Sequence, residues 1–280
     1  MDWRLKCLAF HALRLPGADG VHRLLQRFVT KRYFFTVPPS LSVYGIHVEN
    51  YRKLGRPGRA MEFGAGSDLL AALLLSAAGA TEVLAFDLQP LARVDRINHI
   101  IRQLRGKVAG EWREIRNLNE LESTYRIRYA APGDARKTGL PDGSVDFFYS
   151  TSVMEHIPEP DLNAILRECK RIGSPDALMS FSIGYWDHYS RADRSITRMN
   201  FFRYSDTLWS LYNPPRHYQN RLRHSDFERL FGELGLTAIT NERVLGEDRE
   251  LKDVPLAERF RRYSPEDLLT VGGRFLLKRG

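Results

Sequence analysis

The chain has 280 residues, of which 43% are apolar and 27% charged, as expected for a globular protein with one large α/β domain or two small ones. Two cysteines, Cys7 and Cys169, exclude a disulfide framework or a CxxC metal motif, and we expect a cytoplasmic protein without a signal peptide or membrane span. The net charge of +8 is concentrated in residues 1–36 (net +5) and 184–224 (net +4).

The first 58 residues read as a helical extension. Two sets of apolar residues recur at helical spacing there, and each predicted helix must bury the face they form. The sets are Leu5, Leu8, Ala9, Ala12 and Leu13, and Val21, Leu24, Leu25, Phe28 and Val29.

From residue 59 to 280, short β-rich runs alternate with helical stretches, as in a parallel sheet with crossover helices. The seven predicted strands are "RAMEFGA", "TEVLAFDL", "TYRIRYAA", "SVDFFYSTSV", "ALMSFSI", "LTAITNERV" and "GGRFLLKR". Residues 184–224 interrupt the alternation with nine aromatic residues and seven arginines. We interpret this segment as a cap over the carboxyl edge of the sheet, where ligands bind in open α/β folds.

The stretch "EFGAGSD" (residues 62–68) follows the first strand. Gly64 and Gly66 fit the dinucleotide pattern GxGxxG, but position 69 is leucine. Asp68 would repel a pyrophosphate, whereas Glu62 or Asp68 would attract an ammonium group. The loop therefore favours a zwitterionic ligand over a dinucleotide.

Acidic residues also end the next two strands. Asp87 lies 21 residues after Gly66, where a carboxylate can accept both hydroxyls of a ribose, or can cap the following helix. Asp134 in "PGDARK" can accept from an adenine amino group or serve as a turn residue. Together these positions predict a site for a nucleoside joined to an amino acid.

Residues 59–183 resemble the class I S-adenosylmethionine-dependent methyltransferase superfamily. The matching motifs are "EFGAGS", "AFDL", "GDA" and "YSTSVMEHI", although Ser67 stands where a third glycine is common. "LGLTAITNERV" and "GRFLLKR" resemble its C-terminal hairpin. The resemblance implies a Rossmann-like three-layer α/β sandwich whose seven-stranded sheet has the order 3-2-1-4-5-7-6, with strand 7 antiparallel.

The resemblance also implies that S-adenosylmethionine is the cofactor. The positions that carry its cofactor contacts here are Glu62, Gly64, Ala65, Gly66, Asp87, Leu88, Asp134, Ala135, Ser150 and Thr151. Methyl transfer from a sulfonium is an in-line displacement that depends mainly on positioning and exclusion of water. The acceptor atom, oxygen or nitrogen, stays open, as do intramolecular alkylation, elimination and a non-enzymatic binding role.

A general base is useful only if the nucleophile carries a proton of high pKa. The candidates are Glu155, His156 and His188, with cofactor-side packing as the alternative role of His156. No metal is expected, because Glu155 and His156 are adjacent and the sequence shows no third ligand near them.

The cap is expected to select a small-molecule acceptor through Tyr185, Trp186, Tyr189 and Arg221. Its mixture of arginine and aromatic residues also suits nucleic acid, but no RNA-binding module is recognisable. "HYQNRLRHSDFERLFGELGL" is instead similar to bacterial class I methyltransferases of small-molecule biosynthesis.

Three roles fit the N-terminal extension. It can be a lid with Tyr44 or His47 facing the cofactor, a dimerisation arm, or a basic anchor on anionic lipid. We favour the lid, because residues 38–55 lead directly into the first strand. The oligomeric state is left open.

Overall fold

The computed structural model describes residues 2–12, 34–37 and 41–280, and its centre is a seven-stranded sheet in the order β3-β2-β1-β4-β5-β7-β6. Strands β1 to β5 pair in parallel, and β7 runs antiparallel to both β5 and β6. This confirms the predicted sheet order. The strands are β1 (Arg59–Phe63), β2 (Glu82–Phe86), β3 (Ile127–Ala130), β4 (Val145–Thr151), β5 (Gly173–Gly184), β6 (Leu236–Leu245) and β7 (Thr270–Arg279).

Helices of the described residues cover both faces of the sheet or lie in the cap. In chain order they are α1 (Trp3–Ala12), α2 (Ser42–Arg52), α3 (Leu70–Ala77), α4 (Val94–Leu104), α5 (Glu120–Tyr125), α6 (Glu159–Ile172), α7 (Asp206–Tyr212), α8 (His224–Glu233) and α9 (Pro265–Leu269). Helix α5 ends at Tyr125, so β3 begins later than the predicted "TYRIRYAA". None of these helices is long and apolar enough to cross a membrane.

Alternation along β4 shows the three layers. Phe147 and Tyr149 pack into one core with α2, α3 and α4, while Phe148 between them packs into a second core with α6 and α8. Because both faces are covered, the central strands are apolar on both sides, which is why they read as short continuous hydrophobic runs. The three-layer sandwich is thus the predicted one.

The N-terminal extension is divided between two parts of the molecule. Helix α2 packs on the sheet as part of the main domain, whereas α1 packs against the cap. The predicted buried face of α1 is wrong, because Leu5 and Leu8 are 60% and 64% exposed while Trp3 and Cys7 are buried. Trp3 and Cys7 are also spaced at i, i+4, and the large indole ring determines which face turns inward. The second predicted apolar face, Val21 to Val29, lies outside the described residues.

The cap has a hydrophobic core of its own. Trp3 of α1 packs there against the rings of Tyr189 and Tyr212, at centroid distances of 5.3 and 4.8 Å. Residues from the segment before β7, including Phe260 and Leu268, complete this core. The cap therefore consists of the predicted insertion, helix α1 and a C-terminal segment.

Candidate active site

The glycine loop follows β1 and is held against the end of β2. Gly64 and Gly66 have positive φ angles of 76° and 71°, which favour glycine. The N–H of Gly66 donates to Asp87 Oδ2 at 2.9 Å. A Cβ atom on Gly64 would lie 2.5 Å from both methyl groups of Val153, so glycine is needed for the backbone to lie this close to the Val153 side chain.

Leu69 takes the position of the third glycine in the dinucleotide pattern. Its backbone is still left-handed, with φ of 53°, although its side chain is fully buried. Asp68 Oδ1 accepts from the N–H of Leu70 at 3.1 Å and so caps the start of α3. Burial raises the pKa of Asp68. With Leu69 in place of glycine the turn therefore keeps its left-handed backbone, and Asp68 adds an acidic group beside it.

A cavity of about 360 Å³ opens beside this loop. Its walls come from the ends of β1, β2 and β4, the loop after β3, and the start of α6: Phe63, Gly64, Asp87, Leu88, Gly133, Asp134, Ala135, Arg136, Val153, His156, Ile157, Pro158, Asp161 and Ile165. Five of the predicted cofactor positions, Gly64, Asp87, Leu88, Asp134 and Ala135, thus line one cavity.

Asp134 is an ionised group at the rim of this cavity. Arg136 donates to it at 2.8 Å and to Asp161 at 2.7 Å, and the hydrogen bond from Arg136 lowers the pKa of Asp134. Arg136 and Asp161 were not among the predicted site residues. Arg136 stands two residues after Asp134, but Asp161 lies on α6 and gives no local signal.

Glu62 is a buried carboxyl without enough partners. It lies opposite Tyr149 across β1 and β4 and interacts with the Tyr149 hydroxyl, although neither its Oε2 nor that hydroxyl has a hydrogen-bond partner within 3.5 Å. Burial raises the pKa of Glu62 well above its usual range. Tyr44 on α2 is close enough that Asp68 and Glu62, after burial, help raise its pKa to about 12. An ammonium group would complete this acidic, desolvated end of the site.

Two predicted cofactor residues on β4 bond to protein groups instead. Ser150 is buried and donates to the carbonyl of Phe63 at 3.1 Å. Thr151 pairs with His47 Nε2 at 2.9 Å, and His47 Nδ1 pairs with Ser180 at 2.8 Å. His47 therefore joins α2 to the sheet, and of the two expected lid residues only Tyr44 lies near the acidic groups.

The three predicted catalytic residues lie together. Glu155 and His156 form a short turn after β4, and His188 begins a turn after β5. One possible ligand atom from each residue lies within 4.8 Å of the others, and the two imidazole rings are 4.9 Å apart. His156 also lines the cavity described above, so the group borders the cofactor positions.

The charge states of these three groups are set mainly by burial. Burial raises the pKa of Glu155 to about 8 and lowers the pKa of His188 to about 2. Neither oxygen of Glu155 has a hydrogen bond of good geometry, and the nearby backbone N–H groups of Glu155 and Gly184 offset only part of the effect of burial. His156 Nδ1 lies 2.6 Å from the carbonyl oxygen of Tyr218, and burial lowers its pKa.

Residues 218–220 hold the two turns in place, a role that the sequence did not reveal. The Asn220 side chain donates to the carbonyls of Met154 and Ile157, both at 2.8 Å. Gln219 accepts from the N–H of His188 at 3.1 Å and donates to the carbonyl of Trp186 at 3.0 Å. These two amides sit in "YQNRLR", where only the arginines attracted attention.

Of the four predicted acceptor-pocket residues, Trp186 packs on the Glu155, His156 and His188 cluster, with its ring centroid 4.6 Å from that of His188. Tyr185 and Tyr189 are buried, and the Tyr189 hydroxyl donates to the carbonyl of Tyr212.

The structure also corrects the prediction that Arg221 binds the acceptor. Its buried guanidinium bonds to the carbonyls of Phe201 and Tyr204 and to Asp206, because a buried cation requires acceptors. Arg223 is likewise buried against backbone carbonyls. These arginines hold the cap together and are not free to bind an acceptor or a phosphate chain.

The model of the methyltransferase domain family matches residues 41–241, which is most of the chain. The chain therefore belongs to the methyltransferase domain family. No curated protein sequence matches it significantly.

Solved structures with the same fold have low sequence identity. Geranyl diphosphate C-methyltransferase from Streptomyces coelicolor is 10% identical, with a TM-score of 0.51, over 85% of this chain and 76% of that one. The YcgJ protein from Bacillus subtilis is 15% identical, with a TM-score of 0.46, over 84% and 99% of the two chains. At these identities the likeness concerns the fold alone.

The family and the fit of the site identify the cofactor as S-adenosylmethionine. Three features of the chain suit it: the unpartnered Glu62 oxygen for its ammonium, the Gly64 backbone against Val153, and Asp87 in the cavity wall for its ribose. The protein is a methyltransferase enzyme of this cofactor class.

Proposed function

We propose that the enzyme transfers a methyl group to an oxygen or nitrogen atom of a small-molecule acceptor bound under the cap. The observation that supports this most strongly is the position of His156. Its ring lines the cavity shared with Gly64 and Asp87, and Glu155 and His188 continue from it beneath Trp186. An acceptor held by this group would lie next to the cofactor.

Bound S-adenosylmethionine supplies a methyl group already activated by its sulfonium. The contribution of the chain is therefore positioning. Glu62 and Tyr44 would hold the ammonium, Asp87 the ribose hydroxyls, and Asp134 with Arg136 the adenine side. The cap and Val153 would exclude water from the space between the cofactor and the acceptor.

His156 can take a proton from the acceptor. A carbonyl oxygen only accepts hydrogen bonds, so the contact with Tyr218 assigns the proton of the neutral ring to Nδ1 and leaves the lone pair on Nε2. A neutral imidazole at this position can accept the proton of an attacking hydroxyl or amine.

Product analysis tests this proposal. The protein is incubated with S-adenosylmethionine and pooled small hydroxy and amino compounds, and the products are identified by mass spectrometry. A methylated compound with S-adenosylhomocysteine supports the proposal. Methylthioadenosine without a methylated product would favour intramolecular alkylation or elimination, and cofactor binding without any product would favour a binding role.

We also propose a cytoplasmic setting and peripheral contact of α1 with anionic lipid. Leu5 and Leu8 are exposed on the same helix as Arg4, which also pairs with Asp2 at 3.6 Å, so α1 offers both apolar and basic groups. A Leu5→Ser, Leu8→Ser variant should pellet less with phosphatidylserine vesicles than the parent protein. Equal pelleting, or none by either protein, would remove the lipid contact.

A further inference from the structure

We propose that Glu155, His156 and His188 bind one divalent transition-metal cation of the zinc or manganese type. From the sequence we expect no metal, because it shows two adjacent possible ligands and no third. The fold supplies the third, since the turn after β5 brings His188 to the turn after β4. One carboxylate and two imidazoles form a donor set that such cations prefer.

The geometry is close to that of a metal site. The three candidate ligand atoms lie within 4.8 Å of one another. Bonds of about 2.0–2.2 Å to one cation place its ligand atoms roughly 3 to 4.4 Å apart. Small rotations of the side chains would therefore bring all three into the coordination sphere.

Glu155 is the strongest sign of a missing partner. Glu155 is 3% exposed, and neither carboxylate oxygen has a hydrogen bond of good geometry, although the backbone N–H groups of Glu155 and Gly184 lie close by. A buried, unpaired carboxylate is costly, and a cation would compensate it directly. Two positive charges oppose the cation: Arg191, whose guanidinium lies 4.5 Å from the centre of the Trp186 ring, and Lys6.

The surrounding hydrogen bonds orient the ligands as outer groups do in metal sites. The Tyr218 carbonyl accepts a hydrogen bond from Nδ1–H of His156 and leaves the lone pair of Nε2 to coordinate. Asn220 holds the turn that carries Glu155, and Gln219 holds the backbone of His188. Three consecutive residues thus fix all three ligands.

A bound cation would change how the acceptor is activated. The two imidazoles would then be ligands and not bases, and an acceptor hydroxyl on the cation would lose its proton more easily. This consequence rests on the proposed function, whereas cation binding itself does not.

Calorimetry with the metal alone tests the inference. Full-length protein is freed of metal by a chelator, dialysed and titrated with Zn²⁺ or Mn²⁺ without cofactor, and Co²⁺ is used for absorption spectra. We expect one cation per chain, and at least about 100-fold weaker binding for Glu155→Gln or His188→Asn. His217→Asn is the neighbouring control, because His217 lies outside the ligand group although its ring is 6.1 Å from that of His188.

Glu155→Gln should keep or raise the stability of the metal-free protein, because it removes a buried carboxylate and hardly changes its shape. Thermal unfolding without metal therefore separates loss of the site from misfolding. Absence of saturable binding, unchanged affinity in Glu155→Gln, or an equal loss in His217→Asn would overturn the assignment. A protein that binds S-adenosylmethionine but no cation would refute this inference and leave the proposed function standing.

Discussion

Glu62 shows how one side chain can be costly to the fold and useful to the site. Its carboxyl is buried opposite Tyr149 with one oxygen unpartnered, and burial raises its pKa well above the usual range. A buried carboxyl of this kind contributes little to the stability of the fold, and an ammonium ligand would stabilise it.

Glu62→Gln should accordingly separate stability from binding. We expect unchanged or higher stability of the free protein, and weaker S-adenosylmethionine binding by about 10- to 100-fold, the range for loss of a charge-assisted hydrogen bond. Urea unfolding and calorimetric titration measure the two effects. Unchanged affinity would show that Glu62 does not meet the ammonium.

The two glycines of the loop form a matched pair. Both have positive φ, but a Cβ on Gly64 would clash with Val153, while a Cβ on Gly66 meets open space. Gly66→Ala should therefore cost only backbone strain, about 1–2 kcal/mol. Gly64→Ala should cost about 1–3 kcal/mol more, because Val153 must move. Equal free energies of unfolding for the two variants would contradict the close approach at Gly64.

At the scale of elements, His47 connects α2 to β4 and β5. It is fully buried between the hydroxyls of Thr151 and Ser180, and burial lowers its pKa from 6.5 to about 3. Below pH 6.5 the unfolded chain therefore binds a proton that the folded chain does not. The stability due to this neutral ring is present above pH 6.5 and is lost as the pH falls toward 3.

This gives a prediction for His47→Gln. Because of His47, the free energy of unfolding of the parent protein should fall by about 2 kcal/mol between pH 6.5 and 5, at about 1.4 kcal/mol per pH unit. The variant should lose about that much less stability over the same interval, whatever its stability at pH 7. Urea unfolding at both pH values compares the two proteins, in which the other histidines contribute equally. Parallel losses would mean that His47 titrates normally.

The elements that the sequence predicted well are those with strong local patterns. β1 and the glycine loop follow from an apolar run and two glycines, and α4 buries Ile97, Ile100, Ile101 and Leu104, which recur at helical spacing. The inner face of α1 was not predictable from its leucines, because the cap aromatics that pack on Trp3 come from distant parts of the chain. Gln219 and Asn220 could not be identified either, since their partners are backbone groups of other turns.

On the scale of the whole molecule, the cap depends on contacts between distant segments. Trp3 is 1% exposed within the cap core, whereas Leu8 on the same helix is 64% exposed. The cluster of Glu155, His156 and His188 lies where this cap meets the sheet edge, at residues 154–156 and 186–188. This meeting of segments explains why the sequence predicted Glu155, His156 and His188 singly but not as one cluster.

Trp3→Ala and Leu8→Ala test the cap architecture. We expect Trp3→Ala to cost about 3–5 kcal/mol and to increase amide exchange in the cap, because it leaves a cavity in the core. Leu8→Ala should change stability by no more than about 0.5 kcal/mol. Similar costs for both variants would mean that α1 does not dock on the cap as described.

The cofactor assignment depends on one residue, Glu62, on one loop, between β1 and α3, and on the order of the whole sheet. Calorimetric titration of the full-length protein with S-adenosylmethionine and with NAD tests it most directly, with Asp87→Ala as the variant that removes the ribose acceptor. We expect saturable binding of S-adenosylmethionine to one site, much weaker or no binding of NAD, and loss of binding in Asp87→Ala. No heat with S-adenosylmethionine, or tighter binding of NAD, would contradict it.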